Sequence, residues 1–143
     1  MDYFSDPETT LLRAKGFIDL NYAQPLDLEK IACQANFSRY HFLRLFRRTF
    51  DETPHQYLTR RRIERARELL TTTELSVTDV CLEVGYQSLG SFSSLFQRHA
   101  GHSPQNYRAR VFQSVQLAEQ AAPQFVPFCY IMMFAAHDPA RPI

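Results

Sequence analysis

The residues with the clearest chemical potential lie between positions 38 and 50, where basic side chains recur at helical spacing. With the apolar positions set aside, the remaining face of this segment carries Arg39, Tyr40, Leu43, Arg44, Arg47 and Arg48. An arginine guanidinium is planar and can bind a phosphate or a guanine edge through two hydrogen bonds at once. A basic face with one aromatic residue is therefore the first candidate site in this chain.

The charge of the chain is concentrated around this face. The net charge of +1 is weak support for a nucleic-acid partner, but residues 38–67 hold nine arginines against three acidic residues. The segments on either side, 1–37 and 68–143, are both net acidic. The basic series continues through Arg60, Arg61, Arg62, Arg65 and Arg67. These five side chains can meet phosphate or acidic groups at the edge of the core, and the sequence leaves both roles open.

No pattern typical of an enzyme competes with this face. His99 and His102 are three residues apart, but no cysteine or carboxylate at useful spacing completes a metal site. The run from Gly90 to Ser94 lacks the flanking glycine and preceding strand of a nucleophile elbow. No phosphate loop or dinucleotide fingerprint is present. We therefore expect no enzymatic activity, no metal and no cofactor.

The cysteines and the first residues suggest a reducing compartment. The chain has three cysteines, an odd number without metal-ligand spacing, and it opens without the basic and apolar run of a secretion signal. A cytoplasmic location is the expectation. Cys33 and Cys81 each lie in a predicted short helix where a small apolar residue is required, and a buried thiol there would act as a small hydrophobic side chain.

The elements that hold the basic face are part of a repeat. Twelve positions of residues 28–57 recur in residues 77–107, with an offset of 49 residues before the central turn and 50 after it. The first copy is Leu28, Ile31, Ala32, Asn36, Phe37, Ser38, Phe42, Leu45, Phe46, Thr53, Pro54 and Tyr57. The second copy is Val77, Val80, Cys81, Gly85, Tyr86, Ser88, Phe92, Leu95, Phe96, Ser103, Pro104 and Tyr107. A period near 50 residues indicates a duplicated supersecondary unit.

Each copy predicts a helix-turn-helix. Asn36 and Gly85 stand at matching places between two helical patterns, and these residue types readily adopt the left-handed conformation that ends a helix. The predicted N-caps are Asp27 and Ser38 in the first copy and Ser76, in a capping box with Asp79, and Ser88 in the second. The Thr53-Pro54 and Ser103-Pro104 pairs each begin a further helix.

The full pattern predicts an all-α fold of seven helices. A first helix covers about residues 8–22, a connecting helix about 54–71, and a short last helix about 104–110. The expected organisation is residues 1–53 with the first helix-turn-helix, 54–72 as connector, 73–110 with the second, and 111–143 as an apolar tail. A connector of 18 residues is about 27 Å long, so two units could contact one duplex about one turn apart, roughly 34 Å.

The chain resembles the DNA-binding domain of the AraC/XylS family of bacterial transcription regulators. The resemblance rests on residues 25–32 and 38–46 in the first copy, and on residues 84–88, 92–96 and 103–108 in the second. It covers about residues 8–110. It implies an activator or repressor that binds double-stranded DNA with both second helices, about residues 38–50 and 88–99, and, in many members, contacts RNA polymerase.

The resemblance also implies which side chains meet DNA. The base-facing positions are Tyr40, Leu43 and Arg44 in the first copy and Leu89, Gly90 and Ser94 in the second. The backbone-contacting positions are Ser38, Arg39, Arg47, Arg48, Arg61, Ser88, Ser91, Gln97 and Arg98. Arg44 is the strongest single candidate for a base contact.

The second copy departs from the family pattern. Ser94 stands where many members carry an arginine, and Leu89 and Gly90 offer no hydrogen-bonding side chain. This copy could therefore read thymine methyl groups or DNA shape, or contribute mainly phosphate contacts. Residues 1–24 are too few for a separate sensing or dimerisation domain, so the chain resembles the small stand-alone members, and we expect a monomer on DNA.

Two questions stay open at the level of sequence. The alternative function is that of a duplicated helical module that binds a protein partner instead of DNA. It is kept because the second helix of the second copy, about residues 88–99, is poor in polar side chains. Residues 125–136 form an uncharged run that is too short to span a bilayer. This run could dock onto the domain, or it could form a surface for self-association or for a partner protein. A membrane role is the least favoured interpretation.

Overall fold

Seven helices form residues 6–120, the part of the chain that this computed structural model describes. They are α1 (Pro7–Asn21), α2 (Leu28–Gln34), α3 (Arg39–Phe50), α4 (Pro54–Thr72), α5 (Val77–Glu83), α6 (Leu89–Ala100) and α7 (Pro104–Gln120). The predicted all-α class and the predicted seven helices are confirmed for these residues.

Local signals in the sequence set where the helices begin. Six side chains each accept a hydrogen bond from the backbone N–H three residues ahead, namely those of Asp27, Ser38, Thr53, Ser76, Ser88 and Ser103. Each such cap stabilises its helix by about 1 kcal/mol. The turns also follow the prediction, because Asn36 has φ 53° and Gly85 has φ 90°. Both helix-turn-helix units are therefore confirmed.

The helices enclose two hydrophobic cores, one for each unit. The first core contains Leu11, Ala14, Ile18, Ile31, Ala32, Ala35, Phe42, Phe46, Tyr57 and Leu58. The second contains Ile63, Ala66, Leu69, Leu70, Val80, Cys81, Val84, Phe92 and Phe96. Helix α4 contributes to both, with its first turns in one core and its remaining turns in the other. The connector is therefore an integral part of each subdomain.

The structural duplication extends beyond the residues of the sequence repeat and includes helix α1, which corresponds to part of α4. Buried residues of α1 at positions 11, 14 and 18 have the same spacing as those of α4 at 63, 66 and 70. The ammonium group of Lys15 lies 5.4 Å from the centre of the Tyr57 ring, and the guanidinium of Arg67 lies 6.0 Å from that of Tyr107. Each subdomain thus consists of three helices closed by the first turn of a fourth.

The expected burial of Cys33 and the expected end of the last helix are wrong. Cys33 is exposed, whereas Cys81 is buried as predicted, because the inward side of the short helix α2 is already formed by Ile31, Ala32 and Ala35. The last helix reaches Gln120, the last residue that the structure describes, and thus extends at least about ten residues beyond the predicted end. Residues 111–120 contain no proline or glycine that would stop a helix there.

The chain divides into two compact units near Arg108. Of the second unit, the structure describes residues 109–120, which form the later turns of α7. The apolar run 125–136 lies outside the described residues. Among the helices of residues 6–120, none combines the length and the apolar composition needed to cross a bilayer.

Two glycines with similar backbone angles provide a matched test of this packing. Gly85 has φ 90° and Gly101 has φ 78°. A Cβ at Gly101 would meet nothing within 4 Å, whereas one at Gly85 would lie 2.6 Å from the carbonyl oxygen of Ala23. We expect Gly101→Ala to reduce the free energy of unfolding by about 1 kcal/mol, because only backbone strain is added. Gly85→Ala should cost more than about 2 kcal/mol, since it adds a backbone clash.

Urea denaturation of both variants measures the two costs directly. The difference between them reports the close approach of Ala23 and Gly85. Equal losses of stability in the two variants would contradict this contact.

Candidate nucleic-acid interface

The orientation of helix α3 is fixed by the side chains that it buries. Phe42 and Phe46 are fully buried, with ring centres 5.5 Å apart, and Phe46 also packs against Tyr57. Because these aromatic residues occupy one side of the helix, the residues on the opposite side face outward. Arg39, Tyr40, Arg44, Arg47 and Arg48 are all exposed, and Tyr40 is 76% exposed. The structure thus places five of the six residues of the predicted basic face together in solvent.

The charge of this face is largely uncompensated by the protein. Within residues 6–120, no carboxylate lies within 4 Å of the guanidinium nitrogens of Arg44, Arg47 or Arg48. Arg39 lies 3.8 Å from Glu29, and both side chains are mostly exposed. Such a surface pair contributes about 0–1 kcal/mol, so it would not hold Arg39 away from an anionic ligand.

Leu43 is less exposed than the other residues of the predicted basic face. Its side chain is half-buried and lines a cavity of about 410 Å³ beside α3. The other lining residues are Leu26, Asp27, Ile31, Arg39, His55 and Leu58. Leu43 therefore lies at the margin of the exposed face, and its contact with bases stays a prediction.

Helix α6 repeats the orientation of α3 position by position. From residue 38 to 50 and from 88 to 100, corresponding residues have the same burial throughout, with Phe92 and Phe96 taking the places of Phe42 and Phe46. The exposed positions of α6 include the predicted contacts Ser88, Leu89, Gly90, Ser91, Ser94, Gln97 and Arg98. The two helices thus present equivalent surfaces that carry different chemistry.

The five arginines of α4 have partners within the protein. Arg60 pairs with Glu52 at 2.7 Å and with Glu64 at 2.8 Å, and Arg61 pairs with Asp19 at 2.7 Å and with Glu64 at 2.8 Å. Arg65 pairs with Glu68 at 2.7 Å, while Arg62 and Arg67 donate to backbone carbonyls. Of the two roles left open by the sequence, the structural role is observed. The predicted phosphate contact of Arg61 stays a prediction for a side chain that two carboxylates already hold.

These ion pairs change the protonation of the groups involved. Partial burial alone would raise the pKa of Glu64, but hydrogen bonds and charge from Arg60 and Arg61 outweigh it and lower the pKa. Burial raises the pKa of Tyr57, and the hydrogen bond that its hydroxyl donates to Asp19, at 2.7 Å, raises it further. This network joins α1 to α4 at the edge of the first core.

Across residues 6–120, no three His, Cys, Asp or Glu side chains come together in a way that would hold a metal ion.

Sequence reasoning missed one connection that bears on this interface. Arg62 reaches from α4 to the loop between α1 and α2 and lies over the ring of Tyr86, next to the turn of the second helix-turn-helix. Nothing in the sequence repeat marks Arg62, because its partners are backbone carbonyls 38 and 40 residues away. Gly85 was a partial signal of this connection. Its residue type predicted the turn, but it did not predict the close approach of the Ala23 carbonyl.

The ion-pair network predicts a specific dependence of stability on pH. Because the folded state lowers the pKa of Glu64, its contribution is present above the unfolded pKa, about 4.3, and is lost as pH falls through the folded pKa. We expect Glu64→Gln to be less stable than the parent protein at pH 7 by up to about 1 kcal/mol, since the pair is partly exposed. The difference should shrink as pH falls below about 4.

Thermal or urea unfolding between pH 3 and pH 7 measures this difference. Glu68→Gln is the control, because Glu68 is more exposed and pairs with Arg65 alone. A difference for Glu64→Gln that is independent of pH would refute the assigned network.

This chain is similar in sequence and in structure to known proteins. The profile of a helix-turn-helix domain family matches residues 31–110. The melibiose operon regulatory protein of Escherichia coli K12 is 37% identical over 93 residues, which cover 65% of this chain and 31% of that protein. The regulatory protein SoxS of Salmonella typhimurium is 33% identical over 95 residues, which cover 66% of this chain and 89% of that protein.

A solved structure agrees with the sequence matches. The DNA-binding domain of the global transcriptional factor AdpA, crystallised with a target DNA, superposes with a TM-score of 0.68 at 32% identity. The match covers 71% of this chain and 91% of that domain. The chain spans about a third of the length of the melibiose regulator and most of the length of SoxS.

Proposed function

Given that this chain belongs to the AraC/XylS family of helix-turn-helix transcription regulators, we propose that it regulates transcription by reading two successive major-groove segments of one duplex. The observation that carries the proposal is the matched pair of helices α3 and α6, whose outward positions correspond residue for residue. A helix-turn-helix places its second helix in the major groove, with the N-terminal part of that helix at the base edges.

Helix α3 provides the stronger base readout. Arg44 is exposed at the centre of the helix without a carboxylate partner among residues 6–120, so its guanidinium is available for the two acceptors of a guanine. Tyr40 lies one turn earlier on the same side, and Leu43 borders them. The groups nearer the phosphates are those of Ser38, Arg39, Arg47 and Arg48, which fix the register of the helix on the duplex.

Helix α6 reads its segment by different means. Its base-facing positions are Leu89, Gly90 and Ser94, of which only Ser94 has a hydrogen-bonding side chain. Leu89 is 43% exposed and can pack against a thymine methyl group. The side chains of Ser88, Ser91, Gln97 and Arg98 would contact the backbone. We infer that this half of the site is defined by apolar contact and DNA shape more than by hydrogen bonds.

The connector gives both helices access to one duplex. Helix α4 has 19 residues, about 28 Å at the helical rise, and each end of it lies in one core. This length is comparable with one turn of DNA, roughly 34 Å. A monomer would therefore bind an asymmetric site, because its two reading surfaces differ.

The proposal extends to the partners of the protein and to the absence of catalysis. The resemblance implies contact with RNA polymerase, and membership of a regulator family supports a protein without enzymatic activity. The structure of the AdpA domain in complex with a target DNA favours DNA as partner over the protein-binding alternative. Self-association through the apolar tail concerns residues outside the described part of the chain.

Separate roles for two exposed arginines of α3 can be tested by substitution. Arg44→Ala should weaken binding to the specific site by about 1–3 kcal/mol and relax selectivity at one base pair. Arg47→Ala should weaken binding to all sequences alike and reduce the slope of log affinity against log salt by about 1. Electrophoretic mobility shifts over a salt series measure both effects.

Arg13 supplies the matched control, because it is exposed on α1, outside the two reading helices. Its replacement by alanine should leave specific binding nearly unchanged. If Arg44→Ala lost affinity uniformly across sequences, its assignment as a base contact would be wrong.

Selection of bound duplexes from a random pool tests the whole proposal. We expect one asymmetric site with two spaced elements and less sequence information in the element read by residues 88–98. Ser94→Arg should raise the information in that element, because it introduces the bidentate donor that α3 has at Arg44. Equal information in both elements of the parent protein would refute the asymmetry, and recovery of no preferred sequence would refute sequence-specific binding.

A further inference from the structure

A direct contact joins the two subdomains in addition to their shared helix α4. The loop between α1 and α2 approaches the turn of the second helix-turn-helix so closely that a Cβ at Gly85 would lie 2.6 Å from the oxygen and 2.9 Å from the carbon of the Ala23 carbonyl. Two backbone segments therefore meet without intervening side chains. Rotation of one subdomain about the axis of α4 would break this contact.

Arg62 holds the same two segments from the side of α4. Its Nε donates to the carbonyl oxygen of Tyr22 at 2.7 Å, and its Nη2 donates to that of Gln24 at 2.8 Å. The guanidinium lies 5.2 Å from the centre of the Tyr86 ring. One side chain thus contacts the residues on either side of Ala23 and the residue that follows Gly85.

The chemistry of Arg62 differs from that of the neighbouring arginines. Within residues 6–120, Arg62 has no ion pair, whereas Arg60, Arg61 and Arg65 each have a carboxylate partner. Two carbonyl acceptors and an aromatic face demand a defined position of the planar guanidinium. Arg62 is therefore suited to fixing geometry, and a flexible cation such as lysine would satisfy fewer of these contacts.

The elements held in this way lead directly into the reading helices. Residues 22–24 precede α2, which packs against α3, and Gly85 and Tyr86 precede the Ser88 cap of α6. We propose that Arg62 is a positioning residue that fixes the separation and relative rotation of α3 and α6, and thereby selects the spacing between the two elements of the DNA site. This inference rests on the proposed function, because spacing has meaning only for a duplex that both helices contact.

Rigid linkage makes the affinity for two sites depend steeply on their spacing. When two binding modules are joined, the gain from simultaneous binding disappears if their geometry does not match the spacing of the sites. One inserted base pair moves the second element by about 3.4 Å and rotates it by roughly 34°. A protein whose two subdomains are loosely joined would therefore lose less affinity on such a change of spacing than a protein whose subdomains are rigidly joined.

Arg60 provides a matched control on the same helix. Its guanidinium lies 5.0 Å from the centre of the Tyr57 ring and binds Glu52 and Glu64, so it also makes one ring contact and several hydrogen bonds. All of these partners belong to the turn before α4 or to α4 itself. Arg60→Gln should therefore remove similar contacts without loosening the two subdomains.

The experiment measures affinities for the selected site and for sites with one base pair inserted or deleted between its elements. For the parent protein and Arg60→Gln we expect affinity to fall about a hundredfold or more when the spacing changes, and for Arg62→Gln less than about tenfold. Arg62→Gln should bind a duplex with only the first element as well as the parent protein does, which separates loosening from a general loss of folding. The same spacing profile in Arg62→Gln and the parent protein would overturn the proposal.

A second measurement tests the linkage without DNA. Spin labels at the exposed Cys33 of α2 and at Glu83→Cys of α5, in a chain with Cys129→Ser, report the distance between the subdomains. The distance distribution should broaden in Arg62→Gln and stay narrow in Arg60→Gln, and an unchanged distribution in Arg62→Gln would overturn the proposal. If the parent protein bound no duplex, the proposed function would fail, and this measurement would still decide whether Arg62 holds the subdomains together.

Discussion

The architecture depends on one helix being shared by two cores. Tyr57 and Leu58 of α4 are buried in the first core, and Ile63 and Leu70 are buried in the second, so neither core closes without the same helix. Any reorientation of α4 that suited one core would expose apolar side chains of the other, and each large side chain exposed would cost about 1.5–3 kcal/mol. Hydrophobic burial thus attaches both helix-turn-helix units to one helix, and the contacts of Arg62 and of Ala23 with Gly85 further restrict their relative position.

Duplication separates the requirements of folding from those of recognition. Helices α3 and α6 bury phenylalanines at matching positions and end in left-handed residues, Asp51 and Gly101. These features restrict the inward side of each helix, whereas the outward positions carry Arg44 in one copy and Ser94 in the other. Because the outward residues contribute little to either core, the two surfaces are free to differ, as the proposed asymmetric readout of DNA by two similar folds requires.

Much of this could be predicted from sequence, because the signals were local. Caps such as Ser38, turns such as Gly85 and the stripe of Phe42 and Phe46 depend on residues close together in the chain, and the structure confirms them. The burial of Cys33 was wrong, since a short helix offers too few positions for periodicity to define its inward side. The long-range partners of the α4 arginines could not be found in this way, because backbone carbonyls such as that of Tyr22 have no sequence signature.

The partners of those arginines change how the charge distribution should be interpreted. Nine arginines between residues 38 and 67 suggest one continuous basic surface, but Arg60, Arg61 and Arg65 of α4 are matched by nearby carboxylates, which cancel much of their field at a distance. Of these nine arginines, the exposed ones are those of α3, and within residues 6–120 only Arg39 among them has a carboxylate within 4 Å. Since Arg98 is the only arginine or lysine of α6, electrostatic attraction to phosphate in the proposed complex would act mostly through the first subdomain. In the proposed complex, the second subdomain would then gain its affinity from the rigid placement that the shared helix and the Ala23–Gly85 contact provide.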